Sequence, residues 1–145
     1  MEERYLFKAK RLDNGEWVQG YYAKGLDVFT NCEETHIIFE PNTMFYSSGE
    51  TDGWYKVDPF TICQCTGLKD KNGKLIWEHD VVRDKYDNFY KAFWQNNYYQ
   101  FSWICVKSEM FQVGMKWDLY VMKTFEIEVI GNIFDNKELL ESEEN

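Results

Sequence analysis

The chain has 145 residues, 19% of them aromatic, and its 25 acidic against 16 basic side chains give a formal net charge of −9. That is about one domain's worth of length, enough to bury roughly two-thirds of the unfolded surface without staples. So acidic a chain repels nucleic acid at long range, where binding is driven by cations displacing counterions from phosphate, and with no run of about 18 apolar residues the sequence predicts no membrane span.

Cys32, Cys63, Cys65 and Cys105 lack the dense spacing of a small secreted scaffold, and no apolar leader precedes Arg4. The reading is a cytoplasmic protein with free thiols and no cofactor. Aromatic residues favour the pleated surface of a sheet, which leans the fold toward β.

In chain order, Arg4 to Lys10 alternates, with Tyr5, Phe7 and Ala9 on one side, and runs through Asp13-Asn14-Gly15 into Glu16 to Tyr22. An Asn-Gly pair between alternating runs predicts a β-hairpin with a type I′ turn, which needs positive φ at both central positions. Leu26 to Thr30 and Thr35 to Phe39 read as short strands, the second stopped by Pro41, since proline removes a ladder donor. Asn42 to Gly53 is the least ordered-looking interior stretch, with Ser47 to Gly53 a run of turn formers, and reads as either a mobile loop or a boundary between subdomains; within it Tyr46 to Gly53 is either an ordered binding loop or slack. Trp54 to Val57 resumes a strand, and Asp58-Pro59 ends it.

Lys74 to Trp77 and Asp80 to Asp84 read as strands about the polar step Glu78-His79, and Phe89 to Trp94 with Tyr99 to Val106 as a further hairpin. Met110 to Trp117 is a loop with a short strand, because Gly114 interrupts any helical period. Phe125 to Asn132 is the last strand, and Asp135 or Asn136 then caps a short helix through Glu141. The fold class predicted is all-β, mainly antiparallel: an N-terminal β subdomain over 1–56, a connecting block over 57–79, a C-terminal SH3-like, barrel-like subdomain over 80–136, and an acidic tail over 137–145.

Few residues suggest chemistry. Glu78-His79-Asp80 places a histidine beside carboxylates, as a general base is oriented, but neighbours in a strand face opposite ways and converge only if the chain bends. The plainer reading is a strand-entry turn with Asp80 accepting from backbone amides. Cys63-Gln64-Cys65 puts two thiols on one face without the usual two-residue zinc spacing, so buried free thiols are the default. Tyr99, Phe101 and Trp103 share a face that can stack unpaired bases, yet no basic stripe accompanies them and the plainer reading is core. No phosphate loop, nucleophile elbow or dinucleotide fingerprint is present, and no catalytic, metal or cofactor residue is assigned.

Three stretches carry a resemblance: Phe7 to Tyr21, Val57 through Val82, and Glu128 to Asn136. Of these the middle, with Thr66-Gly67-Leu68-Lys69-Asp70-Lys71-Asn72-Gly73 and Asp80-Val81-Val82, is the most specific. In them the chain resembles the YopX family of small phage and prophage proteins. The resemblance implies a β-rich fold and a phage or prophage origin, and brings no assigned activity with it. The family pattern reads Glu-Gly-Asp where this chain has Glu78-His79-Asp80, which implies that His79 fills a backbone position needing a tight turn or positive φ rather than a catalytic one.

The function expected is a phage accessory protein without enzymatic activity that binds an unidentified host or phage protein or associates with itself as a homo-oligomer. The surface expected to serve it comprises Asp70, Asn72, Glu78, Asp80, Tyr99, Phe101 and Trp103. The alternative is a nucleic-acid-associated protein. It is either an acidic mimic of DNA or a single-strand binder whose groove is assembled from Lys69, Lys71, Lys74, Arg83, Lys85 and Lys91.

Overall fold

The computed structural model describes residues 3–27, 30–45 and 51–140. Three expectations therefore fall partly outside it: the Leu26 to Thr30 strand at positions 28 and 29, the Tyr46 to Gly53 loop at 46–50, and the end of the C-terminal helix with the acidic tail at 141–145. The chain divides into two compact units, Met1–Cys65 and Thr66–Asn145. The division falls within the block expected to connect the subdomains, so positions 57–65 go with the first unit and 66–79 with the second.

The first unit is built from β1 (Phe7–Lys10), β2 (Trp17–Asp27), β3 (Glu33–Phe45), β4 (Thr51–Lys56) and the start of β5 (Cys63–Lys69). The strands lie in the order β4-β3-β2-β1-β5, each antiparallel to its neighbour. Register follows the apolar alternation: Ala9 pairs Val18, and both point into a core with Ile38 and Val57, flanked by Phe7, Tyr55 and Ile62. The far end of β4 is tied back to β1 through the bridge Arg11 to Val57 and by Asp58 N–H donating to the Lys10 carbonyl at 2.8 Å. Asp58 also caps the 3-10 turn Pro59–Thr61, accepting from Phe60 N–H at 3.0 Å, with Pro59 in the position that needs no donor.

Two expectations are corrected here. The first hairpin is not closed by a type I′ turn, because only Gly15 has positive φ, at +73°. Asn14 instead uses its side chain, Oδ1 accepting from Glu16 N–H at 2.9 Å, an Asx turn that holds the residue at negative φ. Nor does Pro41 stop its strand. Pairing of β3 with β2 begins at Phe39, and the register with β4 shifts between Phe39 and Met44, so Pro41 sits where the ladder asks for no amide.

In the second unit the end of β5 lies beside β6 (Leu75–Trp77). A five-stranded antiparallel sheet follows, from β7 (Asp80–Arg83), β8 (Phe89–Gln95), β9 (Gln100–Lys107), β10 (Lys116–Asp118) and β11 (Glu128–Asn132), in the order β10-β9-β8-β7-β11. Its core gathers Ile76, Val82, Tyr90, Ala92, Trp103, Cys105, Met122 and Ile127, with Phe101, Phe111, Trp117 and Phe125 packed against them. The sheet stays open. β11 returns to β7 and the three-residue β10 to β9, leaving both as edges, so the SH3-like closure expected of this unit is not made.

The helix expected after Asp135 is only a 3-10 turn over Lys137–Leu140, because Asn132 has already taken the amides of Phe134 and Asp135 at 2.9 Å each. The α-helical turn lies instead at α1 (Leu119–Met122), where Asp118 Oδ1 accepts from Val121 N–H at 2.9 Å and Met122 is buried. All four cysteines are free thiols, Cys32 exposed and the others buried.

Candidate functional site

The Asp70-Lys71-Asn72-Gly73 turn joins β5 to β6. Gly73 N–H donates to the Asp70 carbonyl at 3.0 Å and Gly73 has φ of +81°, a three-residue loop closed by one left-handed glycine. The Asp70 carboxylate organises this turn and reaches beyond it. Oδ1 accepts from the amides of Asn72 and Lys74, and Oδ2 from the amide of Val129 in β11, each at 2.9 Å. Burial alone would raise this carboxyl, but the amides of Val129, Lys74 and Asn72 hold it below the usual aspartate range. Glu128 beside it pairs with Arg83 and lies 3.8 Å from Lys71, so a ring of polar contacts fastens the turn to β11.

The Glu78-His79 step is a tight turn between β6 and β7, and His79 has φ of +71°, as its place in the family pattern implied. Its amide donates to the Ala92 carbonyl at 2.8 Å and its ring meets Phe134 edge-on at 5.7 Å. The chain does bend here, bringing His79 Nε2 to 3.9 Å from Glu78 Oε2. Asp80, however, turns its buried Oδ2 back to accept from the Trp77 amide at 2.9 Å, so the triplet does not converge as a general base with its orienting acid. Burial lowers the His79 ring below the usual imidazole value, with Glu78 pulling the other way.

A second polar centre, which sequence reasoning missed, lies at Asp84. Its Oδ1 accepts from the amides of Tyr86 and Asn88, and its Oδ2 from Asn88 Nδ2 at 2.9 Å and the Tyr90 hydroxyl at 2.8 Å. Asn88 Oδ1 in turn accepts from Ser108 at 2.5 Å, and Ser108 Oγ accepts from the amides of Met110 and Phe111. Burial and the bond to Asp84 both push the Tyr90 phenol up; the Asp84 carboxyl, raised by burial, is brought below its usual range by its donors. This network fixes the walls of a pocket of about 160 Å³ lined by Asp84, Lys85, Tyr86, Met110, Phe111, Thr124, Phe125 and Glu126. The sequence signal available was Asp84 with Asn88 four residues on, which marks a turn but not the distant serine that completes it.

The proposed aromatic face separates into three environments. Trp103 is fully buried in the core, and its indole N–H has no hydrogen-bond partner among the described residues; Phe101 is half-buried against Trp94, and Tyr99, in the turn before β9, is 82% exposed. They do not make a common stacking platform. Of the basic residues named for a groove, Arg83 and Lys71 face Glu128. Among the described residues no three His, Cys, Asp or Glu side chains form a metal-holding set.

The first unit adds a relay that spacing did not suggest. The Tyr22 hydroxyl lies 2.6 Å from His36 Nδ1, and His36 Nε2 lies 3.0 Å from Glu34 Oε1; in its neutral Nε2–H tautomer the ring donates to the carboxylate and accepts a hydrogen bond from the phenol. Only pairing of Lys24 with His36 across β2 and β3 brings these side chains together. The Tyr22 ring stacks on His36 and packs on Phe7, which makes the relay the rim of the core. Nearby, Lys8 and Lys10 stand over Trp17 and Arg11 over Tyr55, beside a groove of about 470 Å³.

The family model described as YopX protein matches residues 6–141. No curated relative matches the chain.

Proposed function

Because the chain belongs to the YopX family, we propose that it is a phage or prophage accessory protein that works by binding another protein or a copy of itself rather than by catalysis. One observation carries this reading: large apolar side chains stand exposed beside concave surfaces in both units. Leu12 and Trp54 border a groove of about 390 Å³ in the first, and Tyr86 and Met110 flank the pocket of the second. The polar groups that chemistry would need are otherwise engaged, since Asp70, Asp80 and Asp84 all accept from main-chain amides. The edge strands β4, β10 and β11 offer backbone for pairing with a second copy.

The test is a tagged pull-down of the full chain from the bacterial host during prophage induction, with size-exclusion chromatography and light scattering across a wide concentration range. A reproducible partner, or a concentration-dependent oligomer, supports the reading. No partner together with a monomer at every concentration sinks it.

A second reading, contact with single-stranded nucleic acid, draws on the lysines and arginine gathered over Trp17 and Tyr55. It requires binding to labelled oligonucleotides that weakens steeply with salt, and flat salt dependence removes it.

A further inference from the structure

We propose that the pocket between Asp84, Met110 and Phe125 receives one large apolar side chain from a basic segment of a partner protein. The inference rests on the protein-binding reading and names the chemistry of the partner. Size comes first: about 160 Å³ is below the roughly 300–1,000 Å³ of small-molecule sites and suits a single leucine-, methionine- or tryptophan-like anchor. The lining is mostly apolar, with Phe111 and Phe125 inside and Tyr86 and Met110 standing 63% and 60% exposed at its edge. Methionine adapts to differently shaped anchors.

The pocket is also built in advance. Asn88 is 1% exposed and joins the Asp84 turn to the 108–111 segment, donating to Asp84 and accepting from Ser108, whose Oγ holds the amides of Met110 and Phe111. Walls already tied by a hydrogen-bond network lose little freedom when a ligand enters, which is how a small pocket supports useful affinity.

Charge selects the occupant. Glu126 lines the pocket, and exposed Asp87 and Glu109 adjoin Tyr86 and Met110 in sequence. Lys85 also lines it with a positive charge, its ammonium 5.3 Å from the Tyr86 ring centroid, so the balance of Glu126, Asp87 and Glu109 against this one lysine is what remains acidic. With a net charge of −9, the chain favours lysine and arginine beside the anchor, whereas a second copy brings like charge to the same place.

The experiment is an NMR titration of the full-length protein, labelled at methionine methyls and backbone amides, with short lysine-rich peptides carrying one central tryptophan. Matched peptides carry central alanine, or glutamate in place of the lysines. The expected result is saturable shifts at Met110, Tyr86, Phe111 and Phe125, with the tryptophan peptide about tenfold tighter than the alanine peptide and the glutamate-flanked peptide weaker. Thr124→Trp, which plugs the pocket, and Met110→Lys, which opposes the basic flanks, both abolish the preference for tryptophan. Leu12→Ser in the first unit leaves it intact, and unchanged amide shifts in β8 and β9 show that each variant folds.

Equal affinity for the tryptophan and alanine peptides, tryptophan binding unaffected by Thr124→Trp, or concentration-dependent shifts at the pocket without peptide each overturn the inference, the last by assigning the pocket to a second copy. If the pull-down recovers a partner that both pocket variants retain, this inference falls while the protein-binding reading stands. No partner and a monomer remove the broader reading instead.

Discussion

Replacing Asp70 by alanine removes the acceptor of three main-chain amides at once, those of Asn72, Lys74 and Val129. Hydrogen bonds to a charged acceptor are each worth about 1.5–3 kcal/mol, but the three are not equal here. Asn72 and Lys74 are exposed, so water replaces most of what their amides lose. The Val129 amide lies in part-buried β11, where a donor left without a partner costs about 1–3 kcal/mol. Together these give a loss of about 2–4 kcal/mol, a large share of the roughly 5–15 kcal/mol that holds a domain together. Urea unfolding followed by tryptophan fluorescence measures it, and hydrogen exchange at Val129 and Lys74 locates it. Asp70→Asn is the internal control: it keeps an acceptor for the turn but can turn its own amide toward Val129, so it recovers only part of the loss. A cost below about 0.5 kcal/mol for Asp70→Ala, the range of an ordinary surface change, or unchanged protection at Val129, refutes the clamp.

Gly20→Ala places a Cβ 1.8 Å from the Phe39 carbonyl oxygen, so β2 and β3 must separate; circular dichroism melts should show a loss of about 3 kcal/mol, while Gly25→Ala, whose Cβ meets nothing within 4 Å, should cost almost nothing. At His79, φ of +71° predicts that the glycine variant is more stable than the alanine variant by about 1 kcal/mol, since both lose the ring contact with Phe134 and only alanine keeps the left-handed strain; equal stabilities would show that the backbone relaxes. Acid should destabilise the second unit through Asp70 and Asp84, whose folded pKa values lie below their ordinary ones. Their contribution is fully present above the unfolded aspartate value of about 3.9 and is lost as pH falls below it through the folded values. Chemical denaturation at a series of acidic pH values should show a steeper loss in wild type than in Asp84→Asn, and parallel curves would count against the assignment.

The alternation of Phe7 and Ala9 against Val18 was legible as a hairpin, and the pairing of Ala9 with Val18 follows from it. The placement of β6, β7, β8, β9 and β11 was legible in the same way, because each carries a short apolar run bounded by turn residues. Those are local facts, fixed by the period of two and by Asn, Asp and Gly at the bends. The backbone role of Asp80 was also legible.

What escaped the sequence was every feature that depends on a partner far along the chain. The fate of Pro41 was decided by a register shift against β4, while the turn type at Asn14 is the local exception, set by its side-chain bond to Glu16 two residues on. Whether Tyr99, Phe101 and Trp103 were platform or core depended on which face of β9 the rest of the sheet covered. That the C-terminal sheet stays open was decided by β11 pairing with β7 and β10 with β9, far from each other in the strand order. Neither the Tyr22, His36 and Glu34 relay nor the Asp84, Asn88 and Ser108 network has a motif, because each is assembled across strands whose order the sequence leaves open. Local propensity acts through near neighbours and can be read along the chain, whereas strand order and burial are set by the whole sheet's competition for apolar surface, which no single stretch contains.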